Sequence, residues 1–260
     1  MIFMKERILK VVSLVLVGLF AVQTAYAQNR INLLVFSKTK AFRHASIEPG
    51  QAAIKKMGTE KGFSVSTTED ASLITEANLK KYNAVIFLNT TGDILNNEQQ
   101  DVFERYIQAG GGYVGIHAAT DTEYDWPWYN KLAGAWFQDH PNQPSNVQQG
   151  RYFVTEKNEM TAGMPDSFER SDEFYAFKNI SDKINVVLKI DESSYQGGTN
   201  GDNHPMSWYQ EFEGGRSFYT SMGHTDETYL EPLFLNHLYA GIRYVTELNR
   251  NTGIDFSKAR

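Results

Sequence analysis

The segment AVIFLNTTGDILNNEQQDVFERYIQAGGGYVGIH, residues 84–117, decides the fold class. Its first five residues are apolar without polar alternation, which is typical of a strand covered on both faces in a parallel sheet. A helix follows that Asn96 or Asn97 can cap and that carries an apolar stripe. The glycines at 110–112 end this helix, and a second apolar strand occupies residues 113–116. A strand, a helix and another buried strand in this order predict a right-handed crossover between parallel strands.

The same pattern extends in both directions along the chain. Residues 31–36 predict a buried first strand, and residues 48–57 a helix after it. Residues 120–149 are polar, aromatic and proline-containing, which indicates a long insertion. Further predicted elements are a short strand at 63–65, strands at 151–155, 184–190, 206–212 and 216–222, a turn at 213–215 and a closing helix at 231–247. We therefore expect an α/β protein with an open, mostly parallel sheet and flanking helices.

Composition narrows the classes of function. The chain has 260 residues, of which 41% are hydrophobic and 22% charged, a balance typical of a globular protein with a core. Its 25 basic and 31 acidic residues give a formal charge of -6, and the basic residues are scattered, so nucleic acid is not an expected partner. Cysteine is absent, which excludes disulfides, cysteine-bound zinc and a thiol nucleophile. Any chemistry must use histidine, carboxylates, hydroxyls or a metal bound by nitrogen and oxygen.

The first 27 residues predict a secretory signal peptide. Lys5, Arg7 and Lys10 precede an apolar run at 11–22, and Ala25-Tyr26-Ala27 follows. The run is shorter than the roughly 20 residues that span a bilayer. We expect residues 1–27 to be removed and residues 28–260 to form a single exported domain, periplasmic or secreted, without a membrane span.

Candidate site residues follow the predicted strands. In an open parallel sheet the ligand crevice lies beyond the carboxyl ends of the strands. His117 directly follows one strand between small residues, as in the strand-to-helix turn of a nucleophile elbow. His224 follows Gly223, directly after the strand predicted at residues 216–222. The predicted substrate-binding residues are Arg43, His44, Asn89, Thr90, Asp121, His140 and Tyr175.

Two further groups leave alternatives open. The acidic pair Asp172-Glu173 could share a proton, orient a histidine or bind a cation, or could be a solvated strand edge. An aromatic cluster in the insertion could be a platform for sugar rings or simply core. Its members are Tyr124, Trp126, Trp128, Tyr129, Trp136 and Phe137. His237 falls beside apolar positions of the closing helix, which favours a core or interface role.

Four motifs in register resemble the ThuA-like family, which is named for trehalose utilisation. They are Phe42-Arg43-His44, residues 110–119, Asp172-Glu173-Phe174-Tyr175 and Gly223-His224, and the resemblance runs from about residue 31 to 245. It implies a flavodoxin-like sheet, similar in fold to class I glutamine amidotransferases. Those relatives carry a cysteine where this sequence has His117, so the resemblance does not imply cysteine-dependent amide hydrolysis.

The resemblance also implies a role in disaccharide or keto-sugar catabolism. The recurrent polar positions of the family fall on His44, His117, His140, Asp172, Glu173 and His224.

Three functional hypotheses follow. The first is an exported enzyme, hydrolase-like or isomerase-like, that acts on a small sugar or keto-sugar, with His117 and His224 as acid and base and Asp172 or Glu173 orienting one of them. In a variant of it, a divalent metal is bound, with His44, His117, His140 and His224 as candidate ligands. The alternative is a non-catalytic sugar-binding or scaffold protein on an amidotransferase-like fold without the cysteine nucleophile.

The signal sequence predicts where the exported chain begins. Ala25 and Ala27 are the small residues that signal peptidase reads, so the exported protein should start at or near Gln28. Mass spectrometry of the exported product measures this start. Exported protein that retains Met1 would contradict the expectation.

Overall fold

A nine-stranded sheet forms the centre of the structure, a computed structural model that describes residues 31–259. The strand order is β2-β1-β3-β4-β11-β10-β9-β6-β7. The strands are β1 (Asn32–Phe36), β2 (Ser64–Thr68), β3 (Ala84–Leu88), β4 (Gly112–Ile116), β5 (Trp136–Asp139), β6 (Val147–Val154), β7 (Ser167–Glu173), β8 (Ala176–Lys178), β9 (Asn185–Asp191), β10 (Pro205–Phe212) and β11 (Gly215–Thr220). Strands β5 and β8 form a separate antiparallel pair.

The first five strands of this order are parallel. β1 pairs with β2 and β3, and β4 pairs with β3 and β11, all in parallel. Every residue of β3 and β4 is buried, as their unbroken apolar sequences predict. The expected α/β class and the flavodoxin-like parallel sheet with flanking helices are confirmed. All five strands therefore present their carboxyl ends at one edge.

Five α-helices connect and cover the strands among the described residues. They are α1 (Ile47–Lys61), α2 (Glu76–Leu79), α3 (Asn97–Gln108), α4 (Pro127–Ala133) and α5 (Pro232–Thr246). Asn96 caps α3, and its side chain and that of Gln99 satisfy each other's backbone N–H groups in a capping box. The described helices include none that is both long and apolar enough to cross a membrane. The predicted signal peptide and the predicted start at Gln28 lie outside the described residues.

The other four strands extend the sheet in antiparallel fashion. β10 pairs with β11 through the predicted turn, where Glu213 and Gly214 both have positive φ angles (46° and 102°). Two such residues in a two-residue loop match the twist of a hairpin. β9, β6 and β7 continue this antiparallel pairing. The sequence predicted strands near β6, β9 and β10, but neither β7 nor the antiparallel pairing of β9, β6 and β7. β6 begins at Val147, inside the predicted insertion.

His237 of α5 lies in the core. It is 1% exposed, and its Nδ1 donates a hydrogen bond to the Met160 carbonyl oxygen (2.6 Å). Burial lowers the pKa of this imidazole to about 4. The ring therefore remains neutral in the folded protein at pH values where an unfolded chain would bind a proton.

The buried histidine predicts a pH dependence of stability. Between pH 6.5 and 4 the unfolded state binds the proton that folded His237 excludes, so the free energy of unfolding should fall as pH falls, by about 3 kcal/mol in total from this group. His237→Gln should remove this contribution to the pH dependence of the free energy of unfolding. Urea denaturation of both proteins at pH 7 and pH 4.5 measures it, and equal pH slopes would contradict the assignment.

Candidate functional site

His117 stands at the carboxyl end of β4, in a strained turn. Its φ angle is +48°, in the left-handed region that non-glycine residues rarely occupy. Two residues earlier, Gly115 leaves room for the Tyr113 hydroxyl, because a Cβ at that position would lie 2.8 Å from it. The His117 Nδ1 donates to the carbonyl oxygen of Ser221 (2.8 Å), which fixes the tautomer. In the neutral ring Nε2 therefore carries a lone pair and faces the other site residues.

His224 lies four residues beyond the end of β11. The backbone N–H groups of Gly223 and His224 donate to the two carboxylate oxygens of Asp172, at 3.1 and 3.2 Å. This contact positions the loop so that the Nδ1 of His224 lies 3.3 Å from the Nε2 of His117. The side chain remains 17% exposed.

His44 completes a group of three imidazoles. It follows β1, is 3% exposed, and its ring centroid lies 4.9 Å from that of His117 and 5.2 Å from that of His224. Burial, and then the neighbouring histidines, lower the pKa of His44 to about 2, so the ring is neutral. Within residues 31–259 neither ring nitrogen has a hydrogen-bond partner.

Glu173, the last residue of β7, supplies the carboxylate. Its Oε2 lies 3.3 Å from the His117 Nε2 and 3.0 Å from the His224 Nδ1. Burial opposes ionisation of Glu173, but the two histidines outweigh it and lower the pKa of the carboxyl. His44, His117, Glu173 and His224 each offer one nitrogen or oxygen atom, and these four atoms all lie within 4.8 Å of one another. We call these residues the histidine–glutamate cluster.

Asp172 faces a different environment from its neighbour Glu173. It is fully buried, and its Oδ2 lies 3.1 Å from Nη2 of the buried Arg170. Its oxygens are otherwise occupied by the backbone N–H groups of Glu173, Gly223 and His224. Asp172 thus holds the loop that carries His224, whereas Glu173 contacts the imidazole rings. Although β7 is four strands from β11 in the sheet, these contacts bring its end back over the carboxyl edge.

The other predicted site residues fall into two groups. His140 and Tyr175 adjoin the cluster, since the His140 Nδ1 is 3.5 Å from the Glu173 Oε1 and the Tyr175 ring lies 4.2 Å from that of His117. The remaining predicted residues have no hydrogen bond, ion pair or ring contact with the side chains of the cluster. Arg43 pairs with Glu48 and Glu69 at the surface, Asn89 donates to Ser46, Thr90 bonds to Thr122, and Asp121 accepts from Tyr124.

Sequence reasoning missed two residues of this site. Asn146 donates to the Glu173 Oε1 (2.9 Å) and lies 3.3 Å from the His224 Nε2, but it stands in the insertion and no sequence signal marks it. Arg170 had a usable signal, because residues two apart in a strand share a face and a buried Arg170 would pair with Asp172.

Most of the predicted aromatic platform lies elsewhere. Trp126 stacks on Trp128 and bonds to Glu104, and the Tyr129 hydroxyl contacts that of Tyr113. Phe137 alone of the six has a ring contact with a residue beside the cluster, at 4.3 Å from Tyr175.

The buried Arg170–Asp172 pair predicts a large effect on stability. Asp172→Asn should lower the free energy of unfolding by up to about 3–5 kcal/mol, because it removes the fully buried one of the two carboxylates, Asp172 and Glu231, that pair with the buried Arg170 guanidinium. Urea denaturation measures the change, and Glu169→Gln, at an exposed position on the same strand, is the control. Equal stability of the two variants would show that the pair does not position the loop.

The chain resembles several proteins of known structure. A ThuA-like protein from Bacteroides uniformis shares 27% identity, with a TM-score of 0.71 over 83% of this chain and 91% of that one. One from Parabacteroides merdae shares 17% identity, with a TM-score of 0.68 over 89% and 99%. A β-galactosidase from Bacillus circulans sp. alkalophilus shares only the fold, at 13% identity and a TM-score of 0.53, over 82% of this chain and 31% of that one.

The two ThuA-like structures fit a class I glutamine amidotransferase-like fold. No curated protein sequence matches the chain. The family model ThuA, described as trehalose utilisation, matches residues 32–245. That match spans most of the 260 residues, and the chain therefore belongs to the ThuA family.

Proposed function

We propose that this protein is a carbohydrate-active enzyme whose reaction takes place at the histidine–glutamate cluster. The observation that carries the proposal is the position of Glu173, whose carboxylate oxygen lies within 3.3 Å of ring nitrogens of two histidines at the carboxyl edge of the sheet. A carboxylate that contacts two imidazoles is suited to proton transfer. The family description, trehalose utilisation, supports a sugar as the substrate class.

The two histidines have different proton-transfer roles. The Ser221 carbonyl holds the proton of His117 on Nδ1, so Nε2 is the acceptor and serves as the base. Burial alone would lower the pKa of His224, but the hydrogen bond with Glu173 outweighs it and raises that pKa. His224 therefore retains a proton to higher pH than a free histidine does, and it serves as the acid.

The surroundings of the cluster suit a hydroxylated ligand with one apolar face. Phe42 is 65% exposed, and its ring lies edge-on to that of His44 at 4.8 Å. An exposed ring beside buried imidazoles offers apolar surface to the C–H face of a sugar, while His140 and Asn146 offer hydrogen bonds to its hydroxyls.

The proposed place of action is outside the cytoplasm. This part of the proposal rests on the predicted signal peptide, residues 1–27, alone.

Variants of the two histidines test the catalytic proposal. His117→Gln and His224→Gln should each lower kcat by about 10²–10⁴-fold, the usual contribution of a general acid or base. The assay measures turnover of trehalose, other glucosides and their keto derivatives, and Arg243→Gln on the exposed side of α5 is the control. In the metal-free protein, where His224 acts as the acid, the rate should fall as pH rises through its raised pKa.

Two outcomes would contradict this proposal. Saturable sugar binding without turnover would identify a sugar-binding or scaffold protein instead. Turnover that survives both histidine substitutions would show that the reaction takes place elsewhere in the chain.

A further inference from the structure

We propose that His44, His117, Glu173 and His224 bind one divalent transition-metal ion of the Zn²⁺ class, and that His140 lies outside its coordination sphere. The proposal deepens the proposed function by assigning a metal to the same site. In the loaded protein the His117 Nε2 and His224 Nδ1 would bind the ion, and metal-bound water would then supply the proton transfer that these two rings perform in the metal-free protein. It stands on the arrangement of the ligand atoms, and it does not depend on the identity of the substrate.

The separations between the ligand atoms match those around a bound ion. Zinc bonds of 2.0–2.1 Å at tetrahedral angles separate neighbouring ligand atoms by about 3.3 Å. The His117 Nε2, the His224 Nδ1 and the Glu173 Oε2 lie 3.0, 3.3 and 3.3 Å from one another. Three donor atoms therefore form one triangular face of the expected size, and His44 offers the fourth atom within 4.8 Å of the others.

Lone pairs of His117 and Glu173 face each other at this triangle of donor atoms. The His117 Nε2 carries a lone pair when the ring is neutral, because the proton is held on Nδ1 by the Ser221 carbonyl oxygen. That lone pair lies 3.3 Å from an oxygen of Glu173, which is acceptor-only when ionised. Two acceptors at this distance repel each other unless a proton or a cation lies between them, and a metal ion would supply that cation.

The unpaired, buried ring of His44 is not explained by proton sharing between the other cluster residues. An extra proton on His117 could join that ring to Glu173, but His44 has no hydrogen-bond partner among the described residues although it is 3% exposed. Leaving a buried polar ring unpaired costs about 1–3 kcal/mol. Coordination of a metal by His44 would satisfy one of its ring nitrogens.

Outer contacts orient the ligands as they do in metal sites. Metal-bound histidines usually donate the other ring N–H to a carbonyl or carboxylate, and His117 donates to Ser221 in this way. Binding through Nδ1 of His224 places its proton on Nε2, on a ring that is partly exposed to water. Asp172 fixes the backbone of His224 through two hydrogen bonds.

The donor set selects the class of metal. Three imidazole nitrogens and one carboxylate oxygen suit Zn²⁺ and its first-row neighbours, whereas Mg²⁺ and Ca²⁺ prefer oxygen ligands. His140 approaches only the other oxygen of Glu173, at 3.5 Å, and its Nδ1 also lies 3.2 Å from the Pro141 carbonyl oxygen. It is therefore available to contact a substrate. A substrate oxygen or a water would have to bind the ion as a fifth ligand, where the ion would polarise it, because four protein ligands fill a tetrahedral site.

Zinc titration tests the proposal directly. The chain is purified without a histidine tag, treated with EDTA, dialysed and titrated with ZnCl₂ by calorimetry in the absence of sugar. We expect one Zn²⁺ per chain. Glu173→Gln and His44→Ala should each weaken binding by more than the roughly 10–100-fold that loss of an outer-shell partner costs.

His140→Ala is the matched control, because it removes an imidazole from the same pocket that contacts only the outer oxygen of Glu173. Zn²⁺ affinity should therefore fall by no more than the roughly 10–100-fold of an outer-shell loss. Circular dichroism of each variant confirms folding, and the isosteric Glu173→Gln keeps the test valid if a histidine variant fails to fold. Absence of Zn²⁺ binding by the folded wild type, unchanged affinity in both ligand variants, or equal loss in His140→Ala would overturn the proposal. Since no sugar is present, the result is separate from whether turnover is found.

Discussion

The structure of the site depends on placing one ionised carboxylate, that of Glu173, in a nearly buried position. Such a charge is costly unless partners surround it. His117, His224 and Asn146 contact its oxygens, and each arrives from a different part of the chain. The parallel sheet makes this meeting possible, because the two histidines follow strands whose carboxyl ends share one edge.

Asp172 and Glu173, adjacent residues on β7, have different roles at the site. Asp172 meets backbone N–H groups and Arg170, so its charge is neutralised inside the fold and its effect is on loop position. Glu173, one residue later, is aimed at imidazole nitrogens. Alternation along a strand turns successive side chains to opposite sides, and this geometry gives two adjacent acids different roles.

The parallel half of the fold and the histidines could be predicted from the sequence. Uninterrupted apolar runs such as residues 84–88 identify buried parallel strands, and the strand-end rule then selects His44, His117 and His224. The antiparallel strands were harder to predict from the sequence. β7, for example, has the polar sequence SFERSDE, and about half of its residues face solvent. The sequence does not predict which of Asp172 and Glu173 faces the pocket, or that Asn146 reaches it. Both depend on how the antiparallel strands bend back over the sheet edge, and local sequence does not encode that bend.

The contacts that build the site also constrain when it can form. The Ser46 hydroxyl bonds to the Gly223 carbonyl across 177 positions of sequence, and His117 reaches Ser221 across 104. Closing such long loops is slow, and it requires the C-terminal strand β11 to be in place. A nascent or partly folded chain that has not yet added residues 215–224 to the sheet has no assembled pocket. Only the fully folded chain can therefore bind a ligand at the cluster. A bound ligand would lower the unfolding rate and leave the early steps of folding unchanged.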